Sequence, residues 1–424
     1  MASVLGAAAE ILSAPRRLSR DLWILFLSFF LWCFGLGLFT QIWPLFMQDL
    51  GAGPVEIGVL YGVGYVVVTV TYVIGGVLAD RFERRGLLIV TWAVSVPAML
   101  FFAWARRWTD LFPGIVLFNS FLCMPAFNAY VAARTRPEER AAAFTVVYAS
   151  GPLGNLAAPA LGGWLAARLG MRAVFLIAFA VCVVSTLVLL ILSPQRPDQP
   201  SPAGAAAGAD AAESSRGSRA ARDGGAGRRL PRLVPYFGLV ALMYFVLIGP
   251  LPYVPTFLRD GRGLTVVHIG ALGSVLACSE LLISLALGGL GDRWGKPRTL
   301  ALCLGLFGLS MACLLMPGGM GVVALAFVLR GFSRVVHSLA TALVSDLSPQ
   351  RSLGKGFGAF GAVTGLASAA APYAAGWVYK ATPPGLFVAA AAASVLLAVA
   401  VAAVGRAAAA GDGKARPRGG AVAA

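Results

Sequence analysis

The chain has 424 residues, 58% of them hydrophobic and 12% charged, with a formal net charge of +16. Soluble domains carry about 25% charged residues, so half that share, with a mean hydropathy of +0.81, excludes a water-soluble enzyme or binding module and makes lipid the main solvent. A basic chain suits nucleic acid when the charge sits on a soluble module, and no such module is present.

Apolar stretches between charged or Pro/Gly-rich breaks predict twelve membrane-spanning helices, near 22–47, 55–79, 86–105, 111–133, 142–166, 172–193, 233–258, 266–291, 299–317, 320–343, 357–380 and 385–404. None alternates with period two, and helices satisfy their own backbone within a bilayer, so the fold class is an all-α polytopic membrane protein. The first stretch is too long for a signal-peptide core and lacks a small-residue cleavage site, so it is expected to stay on the protein. Placed on alternating sides, 25 of the 34 Lys and Arg fall on one side and 7 on the other. The positive-inside rule then puts both ends and the central linker in the cytoplasm of a cell or inner membrane.

The segment 194–232 is rich in Pro, Ala, Gly, Ser and Arg and too poor in apolar residues to fold. It divides the chain into a cytoplasmic N-terminal segment (1–21), a six-helix half (22–193), the linker, a second six-helix half (233–404) and a cytoplasmic tail (405–424). Six cysteines lie in apolar runs without a C-x-x-C, and the histidines number two. That pattern offers neither a disulfide framework nor a metal site, and no cofactor is expected.

Each half carries the same loop between its second and third spans. In the first, Gly76, Asp80, Arg81, Arg84 and Arg85 give G-x-x-x-D-R-x-x-R-R; in the second, Gly288, Asp292, Arg293, Lys296 and Arg298 give G-x-x-x-D-R-x-G-K-x-R. The two aspartates are 212 positions apart, half the chain. Duplicated six-helix halves are a repeat signature of secondary transporters.

On these residues the chain resembles the major facilitator superfamily, whose loop between spans 2 and 3 has the pattern G-x-x-x-D-[RK]-x-G-[RK]-[RK]. The resemblance covers about residues 20–405, and Glu83 stands where the family usually has glycine. It implies a twelve-helix transporter working by alternating access, with these loops as gating elements that latch one half to the other. In span 5, Gly154, Pro159, Gly162 and Gly163 are similar to the G-x-x-x-G-P-x-x-G-G segment of proton-coupled exporters in that family, with Ala158 for one glycine. Proline and clustered glycine bend a helix and allow close packing, so Pro159, Gly162 and Gly163 are read as a helix bend.

Ionisable residues within predicted spans are costly and mark function by default. Glu280 lies in span 8, and Arg330, Arg334, His337 and Thr341 follow a 4-3-4 spacing that lays them on one face of a continuous span 10. Glu280 precedes Asp292, and Arg334 precedes Asp346, by the same 12 residues, which puts both about 18 Å above the helix ends at 1.5 Å per residue. Depth thus allows a Glu280–Arg334 pair. Three readings stay open: an ion pair that fixes packing, proton or substrate coupling through Glu280, and Arg330 as an anchor for an anion. Asn119 in span 4, and Trp32 and Phe39 on one face of span 1, complete the predicted substrate and proton pathway.

An aromatic cavity with few polar groups suits hydrophobic or amphipathic molecules better than sugars. The expected function is proton-coupled export of such compounds by a monomer, with small molecules, protons and lipid as partners and no nucleic acid. The alternatives are transport of an organic anion and, from another class, a membrane-embedded sensor or enzyme. The chain has no G-x-S-x-G, H-E-x-x-H or Walker A pattern to support catalysis.

Overall fold

A computed structural model describes residues 19–120, 123–136, 139–195, 230–287, 294–336, 339–340 and 353–415. Its helices are α1 (Arg20–Thr40), α2 (Trp43–Asp49), α3 (Pro54–Arg81), α4 (Arg84–Ser95), α5 (Ala98–Trp104), α6 (Leu111–Asn119), α7 (Cys123–Ala133), α8 (Arg140–Leu169) and α9 (Met171–Leu189), then α10 (Leu230–Ile248), α11 (Tyr253–Arg262), α12 (Val266–Leu287), α13 (Lys296–Leu315), α14 (Met320–Arg330), α15 (Leu353–Ala381) and α16 (Pro383–Ala415). Among the described residues there is no strand, and eight helical stretches are long and apolar enough to cross a bilayer. The other four predicted spans coincide with α6–α7, α8, α14 and α15. The last helix runs on to Ala415, beyond the boundary at 404 that composition suggested.

Several predicted spans are broken, and the breaks repeat. Span 1 divides at Gln41–Ile42, and its counterpart span 7 divides at the Pro250/Pro252 turn before Tyr253. Span 4 stops at Asn119 and span 10 at Arg330, again about 212 positions apart. Proline removes a backbone donor and clashes with the preceding turn, which accounts for the break in span 7. At 330–332 the backbone tightens into i→i+3 bonds (Gly331 to Val328, Phe332 to Leu329, Arg334 to Gly331), a 3₁₀-type turn in place of the continuous helix the spacing argument assumed.

Within the N-terminal set, α1 packs between α8 and α9. Phe39, Trp43, Phe46, Phe102 and Phe175 form a nest of rings, with Trp43 and Phe102 centroids 4.4 Å apart and Phe46 and Phe175 4.8 Å apart. Tilted pairs at such distances add attraction beyond their area, and in lipid, packing of this kind carries helix association.

The two sets meet along two seams, α3 against α15 and α8 against α12. A Cβ on Gly58 would lie 2.5 Å from the Pro372 carbonyl oxygen, and one on Gly270 would lie 2.5 Å from that of Pro159. A Cβ on Gly163 would lie 2.6 Å from the Val266 carbonyl, and one on Gly376 would lie 2.7 Å from that of Pro54. Gly58 and Gly270, and Pro54 and Val266, are 212 positions apart; Pro159 and Pro372, and Gly163 and Gly376, are 213 apart. The same Pro-x-x-x-Gly clasp is therefore built twice. Only residues without a Cβ let the helices approach this closely.

Polar bonds reinforce this end of the bundle. The Tyr253 hydroxyl sits 2.9 Å from the Pro54 carbonyl and 2.7 Å from the Pro372 carbonyl, sharing its proton between the sets. The Ala160 amide donates to Ser274 Oγ at 3.1 Å. Arg259 Nη1 lies 2.8 Å from Asp49 Oδ1, and Gln48 Nε2 donates to Asp260 Oδ2 at 2.6 Å. Gly263, at φ +64°, ends α11 in the left-handed conformation that places these groups at the helix terminus. These bonds and ion pairs between the sets lie toward one end, and the bundle is closed there.

Candidate functional site

Away from the closed end, two opposite charges of the second set meet. Glu280 of α12 lies 3.8 Å (Oε2 to Nη1) from Arg334, whose side chain is 63% exposed against 29% for Glu280. Ser279 Oγ donates to the Val328 carbonyl at 2.6 Å, and a side chain at Gly331 would run into Ser279. Thus α12 seats the turn that carries Arg334. A guanidinium so exposed in the middle of a spanning segment must face water rather than acyl chains, because lipid offers it no partner.

Arg330 takes a different course. It is buried, with its guanidinium carbon 4.5 Å from the centre of the Phe327 ring, a cation–π geometry. The turn at 331–332 stands between it and Arg334, within the stretch expected to present Arg330, Arg334, His337 and Thr341 on one face. His337 and Thr341 lie outside the described residues.

Cys33 and Phe29 flank Gly151 of α8, and the Phe29 ring packs on Phe127 at 5.2 Å and Tyr148 at 6.3 Å. Phe144 stacks on Tyr148, interplanar angle 19°. The Tyr148 hydroxyl donates to Asn128 Oδ1 in a short, exposed bond. Rings of α1, α7 and α8 and the Asn128 amide thus form one cluster. Tyr148 and Phe29 carry no charge or motif, and their common cluster arises from three separate helices, so only the fold brings them together.

Trp32 and Phe39, expected on the pathway, are buried within the N-terminal set in this conformation. Trp32 packs on Trp92 at 5.5 Å, and Phe39 packs on Phe102, Phe118 and Phe175. Their face of α1 turns toward α4, α5 and α9; the face toward α8 carries Cys33 and Gly37. Asn119 serves the break in span 4: its Nδ2 donates to the Ile115 carbonyl at 2.8 Å and its own carbonyl accepts from Thr71 Oγ1 at 3.1 Å. Gly162 abuts the Leu38 carbonyl and Gly163 abuts Val266 and Gly270. Pro159 stands inside an unbroken α8, so these residues act as seam contacts on both sides of α8.

At the end opposite the clasp, Arg81 ends α3 exposed, and Arg84 and Arg85 open α4. Two arginines in a first helical turn oppose the helix dipole, but Arg85 Nη2 donates to the Leu190 carbonyl at 2.8 Å and the Arg84 amide donates to the Gln195 carbonyl at 3.2 Å. They hold the exit of α9. Lys296 begins α13. The side chains of Gly76 and Asp80, and all of Gly288, Asp292 and Arg293, lie outside the described residues.

Asp21 is a residue that charge counting passed over. It is buried near the start of α1 and accepts from Tyr130 Oη, Ser193 Oγ and Arg134 Nη2, each at 3.1 Å. Its sequence signal is an acid in the first turn of a helix, where the dipole favours it.

A helical bundle of two packed sets, closed at one end and presenting a charged pair and a ring cluster away from it, is the architecture of a membrane transporter. The sequence model of the Major Facilitator Superfamily matches residues 25–281 and 237–423, and the chain belongs to that family. It is an integral membrane protein that moves small molecules rather than an enzyme. Quinolone resistance protein NorA of Staphylococcus aureus is 33% identical over 132 residues, 31% of this chain and 33% of NorA. Multidrug resistance protein 2 of Bacillus subtilis (strain 168) is 27% identical over 164 residues, 38% of this chain and 41% of that protein. The alignments thus span about a third to two fifths of these curated relatives. A solved structure of a variant of nucleoside transporter NupG has the same fold, with a TM-score of 0.73 at 17% identity over 91% of this chain and 99% of that one.

Proposed function

We propose that the protein is a proton-coupled exporter of small hydrophobic or amphipathic compounds, with twelve spans in two halves (22–193 and 233–404), a linker at 194–232 and both ends in the cytoplasm of the plasma membrane. The observation that carries this reading is the Glu280–Arg334 pair, 3.8 Å apart and partly exposed within predicted spans, in a bundle that also gathers a ring cluster from α1, α7 and α8. A carboxylate that alternates between a guanidinium and a proton has the chemistry of a coupling group. The resistance proteins of S. aureus and B. subtilis support export, and the quinolone named for the first belongs in the substrate panel. The burial of Arg330 beneath Phe327 counts against its role as an anion anchor.

With the basic side cytoplasmic, the clasped end faces outward and the opposite end inward. The loops containing Asp80 and Asp292 then stand at the side that must close in the opposite state, as gating elements. The test is counterflow in proteoliposomes with a chemically diverse panel, with and without a pH gradient. The parent accumulates substrate against its gradient when the pH gradient is imposed; Glu280→Gln exchanges substrate but does not concentrate it. Uphill transport by Glu280→Gln equal to the parent's would remove the coupling role.

A further inference from the structure

Toward the clasped end, the second set holds a cavity of about 880 Å³ between the end of α11, the end of α13 and the turn from α15 to α16. Its walls are Phe257, Leu315, Pro317, Tyr379, Pro384 and Val388, with Asp260 and Arg262 also lining it. We infer that this cavity is a binding site for an organic cation with an aromatic or bulky apolar body, whose charge meets Asp260. The site lies within one set, apart from Glu280 and Arg334, so the inference does not depend on the exporter reading.

Comparison of the two repeats accounts for the space. In the first set Arg172, near the start of α9, reaches across to the end of α5, and its Nη2 donates to the Ala105 carbonyl at 2.9 Å. The positions 212 further on are Pro384 and Pro317. A proline ring is too short to span that corner. The carbonyls that end α13 are taken instead by Arg262 of α11, which donates to Leu314 at 2.7 Å, to Gly318 at 3.2 Å and to Met316. The orphan acceptors of the helix end are satisfied from another side, and the corner that Arg172 crosses in the first set becomes the cavity in the second.

The charges around it select a cation. Arg262 rests on backbone carbonyls at a helix C-terminus, where the negative end of the dipole meets its charge. Arg259 lies 2.8 Å from Asp49 but 3.4 Å from Asp260, so Asp49 holds it more closely. Gln48, which donates to Asp260 Oδ2 at 2.6 Å, is neutral. An ionised carboxylate has about four acceptor positions, and the Asp260 side chain is 48% exposed, which leaves room for a charged donor. Asp260 is the one acid among the lining residues. An anion would meet that carboxylate beside apolar walls, with the N–H groups of Arg262 already committed.

The rest of the lining suits the body of such a ligand. Phe257 and Tyr379 supply rings, which attract a cation as well as an apolar surface, and the prolines supply rigid apolar faces. The volume falls in the range of small-molecule sites, about 300–1,000 Å³. Because Asp260 also bonds Gln48 of the first set, the occupant sits against the contact that ties the sets together.

The experiment uses the full chain in lipid nanodiscs with a Val388→Cys reporter in the cavity wall, labelled by an impermeant maleimide and read at that residue by mass spectrometry. The probes are naphthylethylamine, its neutral counterpart naphthylethanol, and naphthylacetate. The amine should slow labelling several-fold at saturation and reach half-protection at about a tenfold lower concentration than the alcohol, a difference of about 1.4 kcal/mol; the acid should not protect. Asp260→Asn should bring the amine level with the alcohol. Pro384→Arg, which gives the second repeat the residue of the first, should abolish protection by both, with folding checked by thermal melting; Asp260→Asn tests the same site without touching the helix start. Glu280→Gln should leave protection unchanged. Equal protection by the three probes, no protection by the amine, protection that survives Pro384→Arg, or protection that is lost in Glu280→Gln would each overturn the proposal. None of the first three results touches the exporter reading, which stands or falls on uphill transport.

Discussion

Gln48 and Asp260 are 212 positions apart in the chain and 2.6 Å apart in space, Nε2 to Oδ2. The spacing is that of Asp80 and Asp292 in the duplicated loops. Equivalent points of the two repeats, at the clasped ends of spans 1 and 7, thus bond to each other between the two sets. The neighbouring Asp49–Arg259 pair makes the contact a small network, with Arg259 Nε also 3.4 Å from Asp260.

Because these groups are partly exposed, each ion pair is worth about 0–1 kcal/mol, enough to shift the population of a two-state transporter by up to about fivefold. Asp49→Asn should therefore bias the bundle toward opening at this end without unfolding it. The readout is labelling by a membrane-impermeant maleimide of a Ser274→Cys reporter, placed where the seam is now closed. Labelling should rise several-fold in Asp49→Asn and return toward the parent in the reversed pair Asp49→Arg with Arg259→Asp. Unchanged labelling in the single variant would mean that the pair does not latch this end.

The clasps predict a larger effect, since backbone atoms oppose each glycine. In Gly270→Ala the new methyl would lie 2.5 Å from the Pro159 oxygen and 2.8 Å from the Gly163 Cα; in Gly58→Ala it would lie 2.5 Å from the Pro372 oxygen and 2.8 Å from the Tyr373 Cα. Neither neighbour can rotate away. Both variants should reach the membrane, label strongly at the Ser274→Cys reporter and lose most of their turnover. Tyr253→Phe should weaken the Gly58 seam alone, because its hydroxyl bridges Pro54 and Pro372, whereas the other seam is bridged by the Ala160 amide and Ser274 Oγ. Full turnover in either glycine variant would contradict the clasp.

Apolar run length and the doubled loop motif made helices and family legible in the sequence, since both are local and repeated. Pro159, Gly162 and Gly163 were visible for the same reason, as a cluster with a known pattern. Their counterparts Pro372 and Gly376 were not, because span 11 lacks the second glycine beside Gly376 and reads as ordinary small-residue helix. The Glu280–Arg334 distance followed from depth counting, which needs only rise per residue. The seat of Arg330 on the Phe327 ring and the turn at Gly331 did not follow, because a periodicity argument presumes an unbroken helix. Trp32 and Phe39 failed for a related reason: periodicity identifies a common face of α1 but not which neighbour that face meets.

At the clasped end, Asp110 accepts hydrogen bonds from the backbone amides of Arg106 and Arg107 at 2.9 and 3.0 Å, and these bonds hold its carboxyl below the usual carboxylate range. A folded-state pKa below the unfolded one means that the stabilisation is present above the unfolded value and is lost as pH falls through the folded value. The turn before α6 should thus persist at mildly acidic pH and loosen only below the ordinary carboxylate range. Hydrogen exchange at the Arg106 and Arg107 amides, corrected for intrinsic chemistry, should rise in that low range in the parent and at neutral pH in Asp110→Ala. Equal protection in the two at neutral pH would remove Asp110 from the turn.

The last prediction concerns the opposite end, where Asp21 gathers α1, α7 and the exit of α9. Its carboxylate accepts three bonds, from Tyr130, Ser193 and Arg134. Only Arg134 requires charge. Asp21→Asn keeps an oxygen for Tyr130 or Ser193 but leaves the guanidinium without its counter-charge. Since the Arg134 side chain is 32% exposed, water relieves part of that loss, and the cost should be about 1–2 kcal/mol rather than the 3–5 of a fully buried pair. Asp21→Ala removes all three acceptor contacts and should cost about 2–4 kcal/mol. Thermal unfolding in detergent should rank the parent above Asp21→Asn and that above Asp21→Ala. Adding Arg134→Gln should recover stability in the Asn background, where a charge is stranded, and less in the Ala background, where the Ser193 hydroxyl also lacks its partner while Tyr130 keeps the Ser193 carbonyl at 2.9 Å. Ranking Asn with the parent would show that hydrogen bonding, not charge, holds this junction.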